Sequence, residues 1–147
     1  MDKNMPYLLV DSSRLLRRAF DVRVRGTGAT AQQARLLLNL ERSPDRNQAH
    51  YAEKLEIEPI TLCRMVDRME DAGLIERRVD PADRRARLLH LTARSRGEID
   101  RIKTALAGLI DTMLDGFSDD EQAQLAIMLG RISDNLAPKQ QGTAANG

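Results

Sequence analysis

Arginine is the residue type whose number and spacing in this chain most clearly suggest a chemical role. Between Arg64 and Arg96 there are nine arginines and no lysine, against six aspartates and glutamates, so this segment has a net charge of +3. The whole chain of 147 residues has a net charge of only +1. A guanidinium group offers a planar fork of donors that matches phosphate oxygens and the edge of guanine. The segment therefore predicts contact with nucleic acid.

Side chains suited to metal binding or catalysis are few and scattered. His50 and His90 are the only histidines and Cys63 is the only cysteine, and no cluster with carboxylates has the spacing of a zinc site. The Gly-Thr-Gly stretch at 26–28 follows no strand and is interpreted as a helix end, and no serine stands in a nucleophile-elbow motif. We expect no enzyme activity, no metal and no cofactor. Structural or surface roles are expected for both histidines.

The location of the protein is inferred from what the sequence lacks. A single cysteine cannot form an intramolecular disulfide, which agrees with a reducing compartment. The first residues lack the basic start and long apolar run of a signal peptide, and no apolar run approaches about 18 residues. We therefore expect a cytoplasmic protein without membrane contact. The small and polar residues 138–147 are expected to form a disordered tail.

Apolar residues at helical spacing predict four helices in the first half of the chain. The first covers about 6–25, and the second follows a Thr-x-x-Gln capping box formed by Thr30 and Gln33. Asn47 is a suitable N-cap for a short third helix, whose inward positions are expected to include Ala49. Pro59 stands where the first turn of a helix tolerates proline, so it is expected to begin the fourth helix.

A change of period after Gly73 predicts a β-hairpin. Residues 74–79 and 87–92 have strand character, and the charged stretch 80–85 between them is expected to form the turn. Two further amphipathic helices are expected after it, one capped by Thr92 and extending to about residue 114, and one extending to about residue 136. The predicted fold class is mainly α with a small β-hairpin wing, a winged helix-turn-helix with added helices at both ends.

The third and fourth helices, joined by a short turn, have the arrangement of a helix-turn-helix. Residues near the N-terminus of the second helix in such a motif usually reach base edges. Arg64 is therefore expected to contact guanine, and Thr61 a phosphate or a thymine methyl group. Arg68 lies further along the helix and is expected to contact phosphate or to pair with Asp67 or Asp71.

The hairpin and the third helix supply further expected contacts. An arginine at a narrow hairpin tip can enter a minor groove, and Arg84 and Arg85 are placed for this. Asp83 is expected to orient Arg85 by pairing with its guanidinium group. The start of a helix suits phosphate contacts. The predicted DNA-binding residues are Asn47, Gln48, Pro59, Thr61, Arg64, Arg68, Arg84 and Arg85, with Asp83 as the wing-orienting residue.

Three segments closely resemble the MarR family of bacterial regulators, and its SlyA-like branch most nearly. They read IEPITLCRMVDRMEDAGLIERR from Ile57, DPADRRAR from Asp80 and HLT from His90. The resemblance is sharpest over about 47–97, and the helix order extends it over nearly the whole chain. It implies a single domain over 1–147, made of a winged helix-turn-helix over about 30–92, dimerisation helices over about 6–28 and 93–136, and the tail.

The resemblance also implies an assembly and a mode of action. It implies a triangular homodimer held by the first, fifth and sixth helices, with recognition helices in successive major grooves of a pseudo-palindrome and wings in the flanking minor grooves. Many members are repressors that release DNA when small phenolic or aromatic acids bind. The expected partners are double-stranded DNA, a second copy of the chain and such an effector. Independently, the wide apolar stripes of the first and last helices favour a two-fold dimer.

Two alternatives stay open at this point. The winged helix can serve only protein contacts or the displacement of other DNA-bound proteins, as an anti-silencing module without an effector; the arginine cluster disfavours this. It can also bind DNA without responding to any ligand. The ligand-binding residues, the operator and the sign of regulation are not identified. Arg14, Arg17 and Arg18 are suited to a carboxylate but are interpreted as surface charges.

Overall fold

The order of elements is four helices, a hairpin and two helices. The structure is a computed structural model that describes residues 3–138. It divides into two compact units, Met1–Ile110 and Asp111–Gly147. The mainly α fold with a β-hairpin is thereby confirmed, and the predicted tail lies outside the described residues except for Pro138.

The elements are α1 (Met5–Val24), α2 (Ala31–Arg42), α3 (Gln48–Leu55), α4 (Pro59–Asp71), β1 (Ile75–Asp80), β2 (Asp83–Leu91), α5 (Ser95–Met113) and α6 (Asp119–Leu136), with a 3-10 turn at Arg25–Thr27 after α1.

The helix caps lie where the sequence predicted them. The backbone N–H of Gln33 donates to Thr30 Oγ1 at 3.1 Å, and the backbone N–H of Thr30 donates to Gln33 Oε1 at 3.2 Å. At the start of α3, Asn47 Oδ1 accepts the backbone N–H of His50 at 2.9 Å. Pro59 occupies the first turn of α4. Each contact satisfies a backbone donor that the first turn of a helix leaves free, so these boundaries are set locally.

The turn of the hairpin differs from the prediction, whereas the start of α5 agrees with it. β2 begins at Asp83 rather than at residue 87. Asp80 accepts the backbone N–H of Ala82 at 2.9 Å, and Asp83 accepts that of Arg85 at 3.0 Å. These hydrogen bonds favour a short turn of two residues between the strands. Helix α5 begins at Ser95, and Thr92 Oγ1 accepts the backbone N–H of Ser95 at 3.4 Å, the capping contact that the sequence predicted. The hydroxyl of Thr92 also donates to the carbonyl of Gly73 at 2.5 Å and closes the base of the hairpin.

The core of the first unit is aliphatic and comes from α2, α3, α4, the hairpin and α5. Helix α4 buries one face, and the same lobe receives Ile75 and Leu89 from the two strands. Ala49 is exposed, against prediction, and Tyr51 is buried in its helix instead. The largest fully buried apolar side chains are Val24, Leu36, Leu37, Leu40, Tyr51, Leu62, Val66, Met69, Ile75, Leu89 and Ile102.

Tyr51 joins the α2–α3 loop to the core. Its hydroxyl donates to the carbonyl of Ser43 at 2.6 Å and accepts the backbone N–H of Arg46 at 3.2 Å, and burial raises the pKa of the phenol. The carbonyl of Arg46 in turn accepts the backbone N–H of Leu89 at 2.9 Å. The loop therefore lies beside β2, and the hairpin has a fixed position relative to α3.

Two helices leave large apolar side chains in contact with solvent. In α1 only Val24 is buried, and residues 3–18 are exposed throughout. In α6 no residue is buried, and Ile127, Met128, Leu129 and Leu136 are exposed. A monomer gains little stability from such helices, because most of the stability of a protein helix comes from packing its apolar face. Within residues 3–138 no helix is both long enough and apolar enough to cross a bilayer.

Candidate nucleic-acid interface

Helix α4 divides into a buried face and an exposed face. Leu62, Met65, Val66 and Met69 are buried, as the apolar spacing predicted. Thr61, Arg64 and Arg68 lie on the exposed side together with Ile60. The guanidinium of Arg64 has no hydrogen-bond or ion-pair partner within residues 3–138. The guanidinium of Arg64 can therefore meet another molecule without breaking a contact inside the protein.

Arg77 on β1 connects α4 to α3 and to the hairpin. Its side chain is only 18% exposed, and its Nε donates to Gln48 Oε1 on α3 at 2.7 Å. Its Nη2 donates to the carbonyl of Cys63 at 3.1 Å and pairs with Asp67 at 2.7 Å. Its Nη1 pairs with Glu70 at 3.2 Å. One side chain thus fixes α3, α4 and the hairpin relative to one another.

The position of Arg77 was missed from the sequence, although a signal was present. Ile75 is buried, and side chains two residues apart on a strand point to the same face, so Arg77 also points toward α4. An arginine at that register requires nearby acceptors. Burial lowers the pKa of Arg77, but hydrogen bonds and charges from Asp67 and Glu70 outweigh it and raise the pKa overall. The side chain is therefore always cationic.

The Arg77 contacts change the expected roles of two predicted residues. Asp67 pairs with Arg77 and not with Arg68, whose Nε instead donates to the carbonyl of Arg64 at 3.4 Å. Gln48 is half-buried, and its side-chain oxygen is engaged by Arg77. Its amide nitrogen can still donate. Gln48 still lies at the start of α3, and Arg68 still lies on the exposed side of α4.

The wing presents two further cationic side chains. Arg84 and Arg85 lie on β2 next to the Pro81–Ala82 tip, not in the turn itself, and both are exposed. In the described part of the chain, neither guanidinium has a hydrogen-bond or ion-pair partner. Asp83 accepts the backbone N–H of Arg85, whereas the prediction had its carboxylate on the guanidinium. Asp83 thus shapes the backbone that carries Arg85.

The two histidines have structural surroundings. His50 was expected on the outer side of α3, but it is half-buried, with its ring centroid 5.2 Å from that of Tyr51 in an edge-to-face arrangement. Desolvation, together with the charges of Arg46 and Lys54, lowers the pKa of His50. His90 lies on β2 as expected, and its Nδ1 is 2.7 Å from Oδ1 of Asp45. Residues 3–138 contain no group of three His, Cys, Asp or Glu side chains that could hold a metal ion.

An open cavity of about 580 Å³ runs along α1. Arg14, Arg17 and Arg18 line it together with Leu9 and Val10 of the same helix, and Glu56 from the α3–α4 turn completes the wall. Two of the arginines are paired. Arg14 contacts Asp11 at 2.7 Å, and Arg17 contacts Glu56 at 3.6 Å. The cavity thus combines apolar and cationic walls.

Comparison with known proteins agrees with this geometry. Residues 29–86 match the model of the MarR family. A MarR-family transcriptional regulator from Silicibacter pomeroyi has the same fold, with a TM-score of 0.80 and 22% identity over 92% of each chain. The repressor CouR, bound to a 23-mer DNA duplex, matches with a TM-score of 0.69 and 28% identity over 90% of this chain and 97% of its own. A mutant MarR from E. coli, complexed with operator DNA, matches with a TM-score of 0.70 and 21% identity over 88% and 94%. The family match covers the winged helix, and the similarity of fold to these regulators extends over the flanking helices.

Proposed function

We propose that the protein is a sequence-specific, DNA-binding transcription regulator. The observation that carries the proposal is the division of the seven arginines on α4 and the hairpin. Arg68, Arg77, Arg78 and Arg87 each contact a protein acceptor, whereas the guanidinium groups of Arg64, Arg84 and Arg85 are exposed and have no partner within residues 3–138. Unpaired guanidinium groups on a recognition helix and a wing suit guanine edges and phosphates. CouR and the E. coli MarR are bound to DNA in structures of the same fold.

In this proposal each predicted residue has a defined role. Arg64 reads a guanine in the major groove, and Thr61 contacts a neighbouring phosphate or base. Arg68 contacts phosphate. Arg84 and Arg85 place the wing in a minor groove. The residues at the starts of α3 and α4 bind phosphates through helix N-termini; they are Asn47, Gln48 and Pro59.

We further propose that the functional unit is a homodimer. Support comes from the exposed apolar side chains of α1 and, separately, of α6. Residues 5–18 of α1 are exposed throughout, and most of the stability of a protein helix comes from packing its apolar face. A second copy covers these faces and repeats the recognition helix about a two-fold axis, which suits a pseudo-palindromic site. Sedimentation over a range of concentrations tests this: a monomer at micromolar concentration contradicts it.

The mode of regulation in this proposal is repression relieved by a small aromatic or phenolic acid, as in many members of the MarR family, which the sequence resembles. The α1 cavity supports it, because Arg18, which has no ion-pair partner in the described residues, suits a carboxylate, and Leu9 and Val10 suit a ring. Titration of candidate acids into the DNA complex tests this directly. If none weakens the complex, the remaining function is DNA binding without an effector or the anti-silencing module.

The central test is a fluorescence-anisotropy titration against duplexes from upstream of the protein's own gene, with random duplex as the control and several salt concentrations. Arg64→Ala is expected to cost about 1–3 kcal/mol and to relax specificity at one position. Arg78→Ala is the matched control, because it removes the same charge from an exposed side chain that pairs with Glu76 at 3.2 Å. Equal behaviour of the two variants contradicts the role of Arg64.

The wing has its own test in the same assay. Arg85→Ala is expected to weaken binding more when the site is flanked by A·T pairs than when it is flanked by G·C pairs, because A·T tracts narrow the minor groove and focus its negative potential. An equal loss on both flanks argues against insertion into the minor groove. Binding no tighter than to random duplex, at every salt concentration, favours the protein-interaction alternative.

A further inference from the structure

Ile60 is an unusual residue on the exposed face of α4. Among residues 31–91, the large hydrophobic side chains that are exposed are Ile60, at 60%, and Val79, at 53%. Every other large apolar residue of α4 is buried. Ile60 cannot turn inward, because Leu62 and Val66 already fill that side of the helix. Its side chain is therefore held in solvent at the start of the recognition helix.

The neighbours of Ile60 are the residues proposed to contact DNA. Arg64 lies four residues further on, so the two side chains share one helix face, and Thr61 is adjacent. Four residues of helix span about 6 Å, which is close to the length of two base-pair steps. A side chain at Ile60 therefore reaches bases within two or three pairs of the one that Arg64 contacts.

Only one base offers an apolar group in the major groove. The 5-methyl group of thymine lies at the groove edge, whereas the other edge atoms are donors or acceptors. An isoleucine gains by covering that methyl and gains nothing from the polar edges. We propose that Ile60 reads a thymine in each half-site through its 5-methyl group. The inference rests on the proposed function and adds an apolar determinant of specificity to the charged ones.

Replacing single thymines by deoxyuridine tests the inference, because it deletes the methyl group and leaves base pairing intact. The scan uses the tightest duplex from the anisotropy assay and replaces the thymines in symmetric pairs. For one pair, wild-type affinity is expected to fall about fourfold per methyl, or about fifteenfold for both half-sites. Ile60→Ala is expected to bind the unmodified duplex about fifteenfold more weakly and to show no further loss when those methyl groups are removed.

The controls separate this contact from general effects. Alanine is a better helix former than isoleucine and position 60 is exposed, so Ile60→Ala is expected to fold. Val79→Ala removes a similarly exposed apolar side chain from the wing and should keep the full methyl dependence. Loss of that dependence in Val79→Ala as well overturns the assignment to Ile60.

The remaining outcomes distinguish the inference from the proposed function. The wild type can prefer its duplex to random DNA while showing no loss of affinity on methyl removal that depends on Ile60. In that case the inference is wrong and the regulator proposal stands. If the wild type discriminates no duplex, both fail. A methyl effect that persists unchanged in Ile60→Ala also overturns the inference, because another group then reads the methyl.

Discussion

Replacing Arg77 by alanine tests whether one side chain holds the recognition helix in place. The guanidinium joins α3, α4 and β1 through Gln48, Cys63, Asp67 and Glu70. The neighbouring Arg78 lies on the same strand, is half-exposed and pairs only with Glu76. Arg77→Ala and Arg78→Ala therefore remove the same charge from adjacent positions, and the difference between them reports the contacts of Arg77.

The expected size of the effect follows from the partners. The hydrogen bonds to Gln48 and to the carbonyl of Cys63 are part-buried and charge-assisted, and each such bond contributes roughly 1.5 kcal/mol or more. Asp67 and Glu70 are exposed enough to regain water, so their ion pairs add roughly 0–1 kcal/mol. We expect Arg77→Ala to lower the free energy of unfolding by about 3 kcal/mol. For a chain of this length, that corresponds to a fall in Tm of roughly 6–12 °C.

Urea denaturation and DNA titration of the two variants measure the effect. Arg78→Ala should unfold at the wild-type urea concentration, whereas Arg77→Ala should unfold earlier. At temperatures where Arg77→Ala is still folded, its preference for the specific duplex over random DNA should fall, because α4 is no longer fixed relative to the wing. If both variants unfold at the same urea concentration, the contacts of Arg77 add no stability, and Arg77 does not hold α4 in place.

Three further predictions address the loop, the last helix and the wing. Tyr51→Phe removes a buried hydroxyl that satisfies two backbone groups, so the free energy of unfolding measured in urea should fall by about 1–3 kcal/mol. Ser118→Ala should lower helix stability, measured by thermal circular dichroism, by about 1 kcal/mol. The hydrogen bond from the Ser118 backbone lowers the pKa of Glu121 below its ordinary 4.5. The stabilisation of the folded state by the ionised Glu121 is therefore complete above pH 4.5 and is lost as the pH falls through the lower pKa of the folded state. This pH dependence should be absent in Glu121→Gln. Arg85→Ala should reduce the slope of log affinity against log salt by about 2 for the dimer, whereas Arg78→Ala should leave it unchanged.

Much of the fold was predictable because local rules determine it. The caps at Thr30 and Asn47 and the proline in the first turn of α4 depend on residues within one helical turn, and each was found where the sequence placed it. The buried stripe of α4 follows from the helical period alone. Arg64 and Arg85 were expected to be exposed and are exposed, because neither falls on an apolar stripe.

The errors arose where contacts between distant segments decide the structure. The hydrogen bond between Thr92 and Gly73 joins the two ends of the hairpin, so this second role of Thr92 could not be read from residues near 92. Tyr51 is buried because the α2–α3 loop folds over its ring and offers a carbonyl to its hydroxyl. The expectation for Ala49 considered only the period of a very short helix. Arg77 required knowing that Gln48 and Asp67 both lie beneath β1.

The number of arginines alone does not show which of them are available to contact DNA. A guanidinium held by carboxylates, as in Arg77 with Asp67 and Glu70, has its charge already compensated and would have to break protein contacts to meet a phosphate. Arg64, Arg84 and Arg85 have no such cost, since their guanidinium groups face solvent without partners in the described residues. The net charge of +1 is therefore compatible with local positive charge at these three positions, because Asp67 and Glu70 pair with Arg77 and not with them. In this lobe, the paired Arg77 shapes the proposed DNA-binding face and the unpaired arginines form it.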